Sequence, residues 1–210
     1  MLDTKRHLFK GLEKKIGAFF SSFSLTPNHY TFISIVFALG SFYFLIKRKL
    51  ILAIISFLIA GFLDLVDGAV ARYGGMESKV GAYLDTIVDR YVEGILLIGM
   101  LYLPLPGILL PSKMWIALII FGSLMTSYSK AAAREKKLTS QELKGGLFSR
   151  GERIIFLLIS LMLGVVDPSF VLTAYLLALI AILVNVTALQ RISLAIKKNR
   201  KGFIKSRKKK

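Results

Sequence analysis

The stretch LILAIISFLIAGFLDLVDGAVARYGGMESKVGAYLDTIVDRYVEGILLIGMLYL, residues 50–103, decides the fold. It contains two long and mostly apolar runs, 50–72 and 81–103, separated by a short polar loop that holds two adjacent glycines. A helix needs roughly 20 predominantly apolar residues to cross the hydrocarbon core of a bilayer. Each run therefore predicts one membrane-spanning helix, and the short loop predicts that the two helices are antiparallel neighbours.

The same pattern extends over most of the chain and predicts an all-α integral membrane protein, a bundle of six transmembrane helices. The predicted spans are Tyr30–Ile46, Leu50–Arg72, Gly81–Leu103, Met114–Lys130, Ile154–Val166 and Ser169–Leu189. Residues 1–22 are predicted to form an amphipathic helix on the membrane surface, because apolar residues recur there at helical spacing among lysines. Residues 23–196 would form the six-helix transmembrane domain, and residues 197–210 a basic tail.

Composition excludes several other classes of protein. Hydrophobic residues make up 55% of the chain, which is far too many for a disordered segment. The formal net charge of +17 flanks long uncharged runs, so a soluble nucleic-acid binder is not expected. The chain contains no cysteine, which rules out a disulfide framework and thiolate metal ligands.

The distribution of lysine and arginine predicts the orientation in the membrane. Six spans place both termini on the same side, and most of the basic residues outside the spans fall on that side. Lys47, Arg48 and Lys49 are a local exception on the other side. By the positive-inside rule, the protein is predicted to be a multi-pass protein of the cytoplasmic membrane with both termini and its functional site facing the cytoplasm.

Acidic residues lie inside the second and third predicted spans: Asp64, Asp67, Asp85, Asp89 and Glu93. A carboxylate in hydrocarbon costs a few kcal/mol or more, so such residues are candidates for function. Asp64 and Asp67 share one helix face, as do Asp85 and Asp89. With a rise of about 1.5 Å per residue, the two pairs lie at matching depths of about 6 to 12 Å from the cytoplasmic ends of their helices. The four aspartates are therefore predicted to converge.

Clustered carboxylates repel one another unless cations neutralise them. Hard divalent cations prefer oxygen ligands, so a pair of Mg²⁺ or Mn²⁺ ions is the expected occupant. Arg72 would add a positive charge for phosphate oxygens, and Gly68 and Gly81 would let a ligand approach closely. One alternative is that the acids pair with Arg72 and Arg90, which is the expected role for Glu93 and Arg90 at i,i+3 spacing. Another is a cation transporter or proton pathway, although such proteins usually place their acids near the midplane of the membrane.

The acidic residues belong to a longer pattern, Asp64-x2-Asp67-Gly68-x2-Ala71-Arg72-x8-Gly81-x3-Asp85-x3-Asp89. This pattern resembles the signature of the CDP-alcohol phosphotransferase family, integral membrane enzymes of phospholipid synthesis. The resemblance also includes the segment LTPNHYT at residues 25–31. It implies a six-helix transmembrane fold, usually a homodimer, that transfers a lipid phosphoryl group from a CDP-linked alcohol to an acceptor hydroxyl and releases CMP.

The resemblance also implies roles for individual residues. Asp64, Asp67 and Asp85 would bind the metal pair, while Asp89 would contribute to the second ion and act as the general base. The CDP group of the donor would be bound by Asn28, Thr31, Gly68, Ala71, Arg72 and Gly81. Pro27 and Asn28 would also suit the start of a helix, which is the alternative role for that segment.

The acceptor is predicted from basic residues between the fourth and fifth spans. Lys130, Arg134, Arg150 and Arg153 could bind a phosphate on the acceptor, or they could serve only to set the membrane topology. The segment resembles family members that use inositol phosphate, such as phosphatidylinositol-phosphate and archaetidylinositol-phosphate synthases. Glycerol-3-phosphate as acceptor, and the synthesis of di-inositol phosphate from CDP-inositol, remain the alternatives.

Overall fold

The computed structural model describes residues 10–138 and 146–207, with side chains for 11–138 and 146–199. Over these ranges the chain forms seven α-helices. The helices are α1 (Lys10–Ser21), α2 (Pro27–Ile46), α3 (Leu50–Tyr73), α4 (Lys79–Met100), α5 (Ser112–Glu135), α6 (Arg150–Val166) and α7 (Val171–Arg207). Their contacts divide the chain into two compact units, Met1–Leu103 and Pro104–Lys210.

In the first unit, α2 packs against both α3 and α4, whereas α3 and α4 touch each other only over a short stretch. The sequence predicts that α3 and α4 pack directly against each other. In the structure, both helices pack mainly against α2 instead. The approach of α2 to α3 is close at Gly40, where an added Cβ would lie 2.8 Å from the hydroxyl of Ser56. That hydroxyl donates a hydrogen bond to the carbonyl of Phe37 at 2.7 Å.

Helix α1 lies against α3 in the same unit. Ile16 and Phe20 of α1 pack on a buried apolar cluster that includes Tyr30 of α2 and Val66 of α3. The Tyr30 hydroxyl donates a hydrogen bond to the carbonyl of Phe20 at 2.8 Å, which ties the end of α1 to α2. This packing places the polar residues of α1 beside the carboxyl-terminal end of α3.

The start of α2 follows from local sequence. Pro27 occupies the first helical position, where its missing N–H costs no helical hydrogen bond. The backbone N–H of Thr26 donates to Nδ1 of His29 at 3.1 Å and closes the amino-terminal turn. These caps begin α2 three residues before the predicted span.

The second unit consists of α5, α6 and α7, with α7 packed against both other helices. Gly122 of α5 allows a close approach, since a Cβ there would lie 2.8 Å from Cγ1 of Val184. The amide of Asn185 on α7 donates to the carbonyl of Leu118 on α5 at 3.0 Å. Such hydrogen bonds between helices hold apolar helices in a fixed register.

Four helices are long and apolar enough to cross a membrane within the described ranges: Pro27–Ile46, Leu50–Tyr73, Ser112–Glu135 and Val171–Asn199. Helix α6 has only 17 residues, and α4 carries several charged residues along its length. These two predicted spans therefore do not meet the length and hydropathy that the other four meet. The all-α prediction is confirmed, whereas the number of membrane crossings stays a prediction.

Several predicted helix ends differ from the structure. Helix α5 continues past the predicted Lys130 to Glu135, and α6 begins at Arg150, before the predicted Ile154. Helix α4 ends at Met100, short of the predicted Leu103, because a turn and then Pro104 follow. Helix α7 continues to Arg207 and is 37 residues long, so the backbone of 197–207 extends α7 where a separate tail was predicted. Leu8 and the other residues of the predicted surface helix before Lys10 lie outside the described residues.

Candidate functional site: three carboxylates beside a cavity

The aspartates of α3 and α4 meet in the first unit. Asp64, Asp67 and Asp85 each offer a carboxylate oxygen, and these oxygens lie within 4.8 Å of one another. Asp67 is buried, and the other two are half-buried. Three carboxylates at this spacing, with no histidine or cysteine among them, provide the all-oxygen donor set that Mg²⁺ and Mn²⁺ prefer. The arrangement therefore fits a hard divalent cation, as the spacing of the aspartates predicts.

Asp67 is held in place by a neighbour from another helix. The hydroxyl of Thr31 on α2 donates a hydrogen bond to Oδ2 of Asp67 at 2.6 Å, and both side chains are buried. This distance is typical of a hydroxyl bound to a carboxylate, which is among the stronger hydrogen bonds in proteins. Because α2 packs on both α3 and α4, this contact fixes the orientation of one carboxylate of the cluster.

A cavity of about 350 Å³ adjoins the carboxylates. Its lining combines the carboxylates of two aspartates, the amino-terminal turn of α2, the loop before α4 and the motif residues of α3. The lining residues are Thr26, Pro27, Asn28, Thr31, Asp67, Gly68, Ala71, Arg72, Met76, Glu77, Ser78, Gly81, Ala82 and Asp85. All six residues predicted to bind the CDP group are therefore brought together around one cavity.

Two glycines in the lining allow close contacts with neighbouring side chains. A Cβ on Gly81 would lie 3.0 Å from the hydroxyl of Ser78, which accepts a hydrogen bond from the Gly81 N–H at 2.9 Å and caps α4. A Cβ on Gly68 would lie 3.0 and 3.1 Å from the terminal nitrogens of Arg72. The guanidinium of Arg72 thus folds back against the helix turn that follows Asp67.

Arg72 also contacts α1. Its Nη2 forms an ion pair with Oε1 of Glu13, and the side chains of Arg72 and Glu13 are 37% and 25% exposed. Nothing in the sequence of α1 marks Glu13, which is one acidic residue among lysines. Its role depends on the packing of α1 against α3, which no local pattern in the sequence reveals.

Asp89 lies one helical turn beyond Asp85 on α4. Among the described residues, the cluster of close carboxylates comprises Asp64, Asp67 and Asp85, and Asp89 is not a member of it. Nη2 of Arg90 is 3.9 Å from Oδ2 of Asp89, and Nη1 of Arg90 donates to Oε2 of Glu93 at 3.2 Å. Arg90 therefore lies between two carboxylates, and its contact with Glu93 is the one that the i,i+3 spacing predicts.

The four predicted acceptor residues lie in the second unit and differ in exposure. Arg153 is buried, at 1% exposure, near the start of α6. Lys130 and Arg150 are half-buried, whereas Arg134 is exposed near the end of α5. A guanidinium as deeply buried as that of Arg153 is rare, because an arginine costs several kcal/mol to bury without compensation.

Arg191 on α7 is a basic residue that the sequence analysis missed. Its Nη1 donates to the carbonyl of Thr126 at 2.8 Å, one turn before Lys130 on α5, and its guanidinium is close enough to Arg153 for electrostatic repulsion. In the sequence Arg191 looks like the first of the topology-setting charges after the last apolar run. A signal was present, since apolar residues continue beyond it at Ile192, Leu194 and Ile196.

Comparisons with known proteins identify the family of the chain. A model of the CDP-alcohol phosphatidyltransferase family matches residues 24–197. The chain is 34% identical over 202 residues to an archaetidylinositol phosphate synthase of Pyrococcus horikoshii, covering 96% of this chain and 100% of that protein. It is 30% identical to the archaetidylinositol phosphate synthase of Aeropyrum pernix, covering 84% of this chain and 86% of that protein.

Solved structures show the same fold. The phosphatidylinositol phosphate synthase of Mycobacterium tuberculosis with CDP-DAG bound superimposes with a TM-score of 0.76 at 23% identity, covering 87% of this chain and 92% of that chain. The same enzyme in complex with manganese and citrate gives a TM-score of 0.77 at 23% identity, covering 87% and 88%. The cluster of motif aspartates, the match of the family model and the full-length relatives together establish that this chain belongs to the CDP-alcohol phosphatidyltransferase family.

Proposed function

We propose that this protein transfers a lipid phosphoryl group from a CDP-linked lipid to a hydroxyl of an inositol phosphate and releases CMP, as a step in phospholipid synthesis. The observation that carries this proposal is the convergence of Asp64, Asp67 and Asp85 beside a cavity lined by Arg72. The similarity to archaetidylinositol phosphate synthases over the whole chain supports an inositol phosphate as the acceptor.

The carboxylate cluster would hold two divalent ions, Mg²⁺ or Mn²⁺. Asp64, Asp67 and Asp85 would be the main ligands, and Asp89 would contribute to the second ion. When bound, such ions supply positive charge to the phosphate oxygens and to the leaving group. The manganese complex of the mycobacterial structural neighbour supports a divalent metal in this fold.

The donor would bind with its CDP group in the cavity beside the cluster. Arg72 presents a guanidinium whose planar N–H groups match phosphate oxygens, so we assign it to the diphosphate. Asn28 lies at the amino-terminal turn of α2, where backbone N–H groups and the amide can bind polar groups of the nucleotide. Gly68, Ala71 and Gly81 would keep the walls small enough for the diphosphate to approach the backbone, and Thr31 would act mainly through Asp67.

In the reaction, Asp89 would accept the proton of the acceptor hydroxyl. The hydroxyl oxygen then forms a bond with the phosphorus nearer to the lipid. The bond between that phosphorus and the bridging oxygen of the diphosphate breaks, and CMP leaves with that oxygen. The task of this chain's residues is to hold the reacting groups in line and to exclude water, which would otherwise compete as the nucleophile.

The phosphate of the acceptor would bind to the basic residues of the second unit. Lys130, Arg134, Arg150 and Arg153 were assigned to this role from the sequence, and we add Arg191 because it contacts the turn of α5 before Lys130. The burial of Arg153 supports a structured anion site over a purely topological role, since a residue that only sets topology would extend into the headgroup region.

We further propose that the protein is a homodimer in the cytoplasmic membrane, with six membrane-spanning helices, α1 on the cytoplasmic surface of the bilayer, and its termini and site facing the cytoplasm. The described helices include four that meet the length and hydropathy of a span, and the basic charge of the chain is biased as the positive-inside rule requires. Static light scattering in detergent and the accessibility of single introduced cysteines would test both statements.

The decisive experiment measures CMP release by the purified protein. CDP-diacylglycerol, CDP-archaeol and CDP-inositol would each be offered with inositol phosphate, free inositol and glycerol-3-phosphate. We expect release with a CDP-lipid and inositol phosphate, loss of release in EDTA and recovery with excess Mg²⁺ or Mn²⁺. Release only with glycerol-3-phosphate or only from CDP-inositol would replace the proposed acceptor or donor, and full activity in EDTA would refute the metal assignment.

A further inference from the structure

We propose that Glu13 of α1 is a positioning residue, which holds the guanidinium of Arg72 in the orientation that binds the donor diphosphate. This inference rests on the proposed function and adds a residue outside the family motif. It follows from the ion pair between Oε1 of Glu13 and Nη2 of Arg72, together with the way α1 is fixed against α3.

Helix α1 is held close to α3 at the level of Arg72. A Cβ on Gly17 would lie 2.6 Å from the carbonyl oxygen of Ala69 and 2.7 Å from Cβ of Tyr73, so only a glycine permits this approach. Ile16 and Phe20 anchor the same helix in the apolar cluster of the first unit. Glu13 lies one turn before Gly17, and its carboxylate therefore reaches α3 from a defined position.

The contact with Glu13 constrains a side chain that is otherwise free to take many conformations. An arginine loses side-chain conformational entropy when it is fixed, and Arg72 is 37% exposed. Gly68 supplies a flat surface on one side of the guanidinium, and Glu13 binds one of its terminal nitrogens. Arg72 lines the cavity, whereas Glu13 is not among the described lining residues, so Glu13 acts on the arginine from outside the binding space.

The ion pair between Glu13 and Arg72 is expected to contribute little to the stability of the fold and more to the binding of the donor. Partly exposed ion pairs contribute little to the free energy of unfolding, because solvent screens them. A ligand that needs a preoriented guanidinium gains instead, since the entropy of fixing the side chain is already spent when the ligand arrives. The effect of Glu13 should therefore appear in donor binding and hardly in heat stability.

The test compares Glu13→Gln, Arg72→Ala and the double variant in the full-length protein. Equilibrium binding of CDP-diacylglycerol is measured without acceptor, and then kcat and the KM for donor and acceptor are measured with inositol phosphate. We expect Glu13→Gln to weaken donor binding by about three- to tenfold, with kcat, the acceptor KM and Tm nearly unchanged. Glu13→Gln should have no further effect when Arg72 is already alanine.

Two controls keep the test specific. Lys15→Gln changes an exposed residue of α1, and Glu135→Gln removes an exposed glutamate that pairs with Lys136. Both should bind donor like the wild type. Three results would overturn the inference. Donor binding by Glu13→Gln could be unchanged, or it could be tighter because Glu13 competes with the phosphate. The substitution could also have the same effect in the Arg72→Ala background as in the wild type. A wild type that neither binds a CDP-lipid nor releases CMP would instead overturn the proposed function.

Discussion

Replacing Thr31 by valine tests the contact that orients Asp67. Valine has nearly the shape of threonine, so the substitution removes the hydroxyl and leaves the packing of α2 against α3 in place. The hydrogen bond spans 2.6 Å between buried groups and has a carboxylate as its acceptor. Hydrogen bonds to charged groups contribute about 1.5–3 kcal/mol, which corresponds to a loss of about 10- to 100-fold in metal affinity if Asp67 must be oriented to bind the ion.

The assay should read metal binding directly, without turnover. Free Mn²⁺ can be followed by electron paramagnetic resonance while the purified protein is titrated in detergent. Thr31→Ser is the matched control, because it keeps the hydroxyl and loses only a methyl group, at a cost of about 0.8 kcal/mol in packing. We expect Thr31→Ser to bind Mn²⁺ nearly as well as the wild type, and Thr31→Val to bind it much more weakly.

One combination of results would refute the role of the Thr31 hydroxyl in orienting Asp67. If Thr31→Val binds Mn²⁺ with wild-type affinity and shows only a raised KM for the CDP-linked donor, then the hydroxyl serves the nucleotide and not Asp67. That outcome would return Thr31 to the role that the family resemblance implies for it.

Three further predictions concern helix packing and capping in the two units. Gly17→Ala should force α1 away from the backbone of α3, lower stability by about 1–3 kcal/mol and weaken donor binding, as measured by thermal unfolding and CDP-lipid titration. Asn185→Leu should lose the hydrogen bond to the Leu118 carbonyl and lower stability by about 1 kcal/mol in denaturation experiments, without a change in donor KM. Hydrogen bonds from Ser149, chiefly from its backbone N–H, hold the pKa of Glu152 below its ordinary value of 4.5. The stabilisation by Glu152 is therefore present above about pH 4.5 and lost at lower pH, so Glu152→Gln should lower Tm near neutral pH and differ little from the wild type in acid.

The chemistry of the first unit could be predicted from the sequence because it depends on spacing along single helices. Asp64 and Asp67 share a face of α3, and their distance from the end of the helix matches that of Asp85 on α4. These relations follow from helical geometry alone. Three of the four predicted carboxylates lie within 4.8 Å of one another, whereas Asp89 is not a member of the cluster among the described residues.

The contacts between distant parts of the chain could not be predicted in this way. The hydrogen bond from Thr31 to Asp67 and the ion pair of Glu13 with Arg72 each join different helices. Nothing in the local pattern of α1 or α2 distinguishes those residues from neighbours that face solvent or lipid. Arg191 was missed for a related reason, since a charge near the end of an apolar run has the same appearance whether it faces lipid headgroups or the interior of a bundle.

The position of α2 between α3 and α4 sets the distance between the acidic groups of the two helices. The signature residues of α3 and α4 must keep a fixed separation, yet those two helices touch only briefly, and both rest on α2. The buried side of α2 is made largely of small residues, among them Thr31, Ser34, Ala38 and Ser41. The diameter of this one helix thus determines the gap across which the acidic groups face each other. Replacing Ser34 or Ser41 with a larger residue would therefore widen the gap between the acidic groups of α3 and α4 and lower activity, although neither serine is placed in contact with substrate or ion.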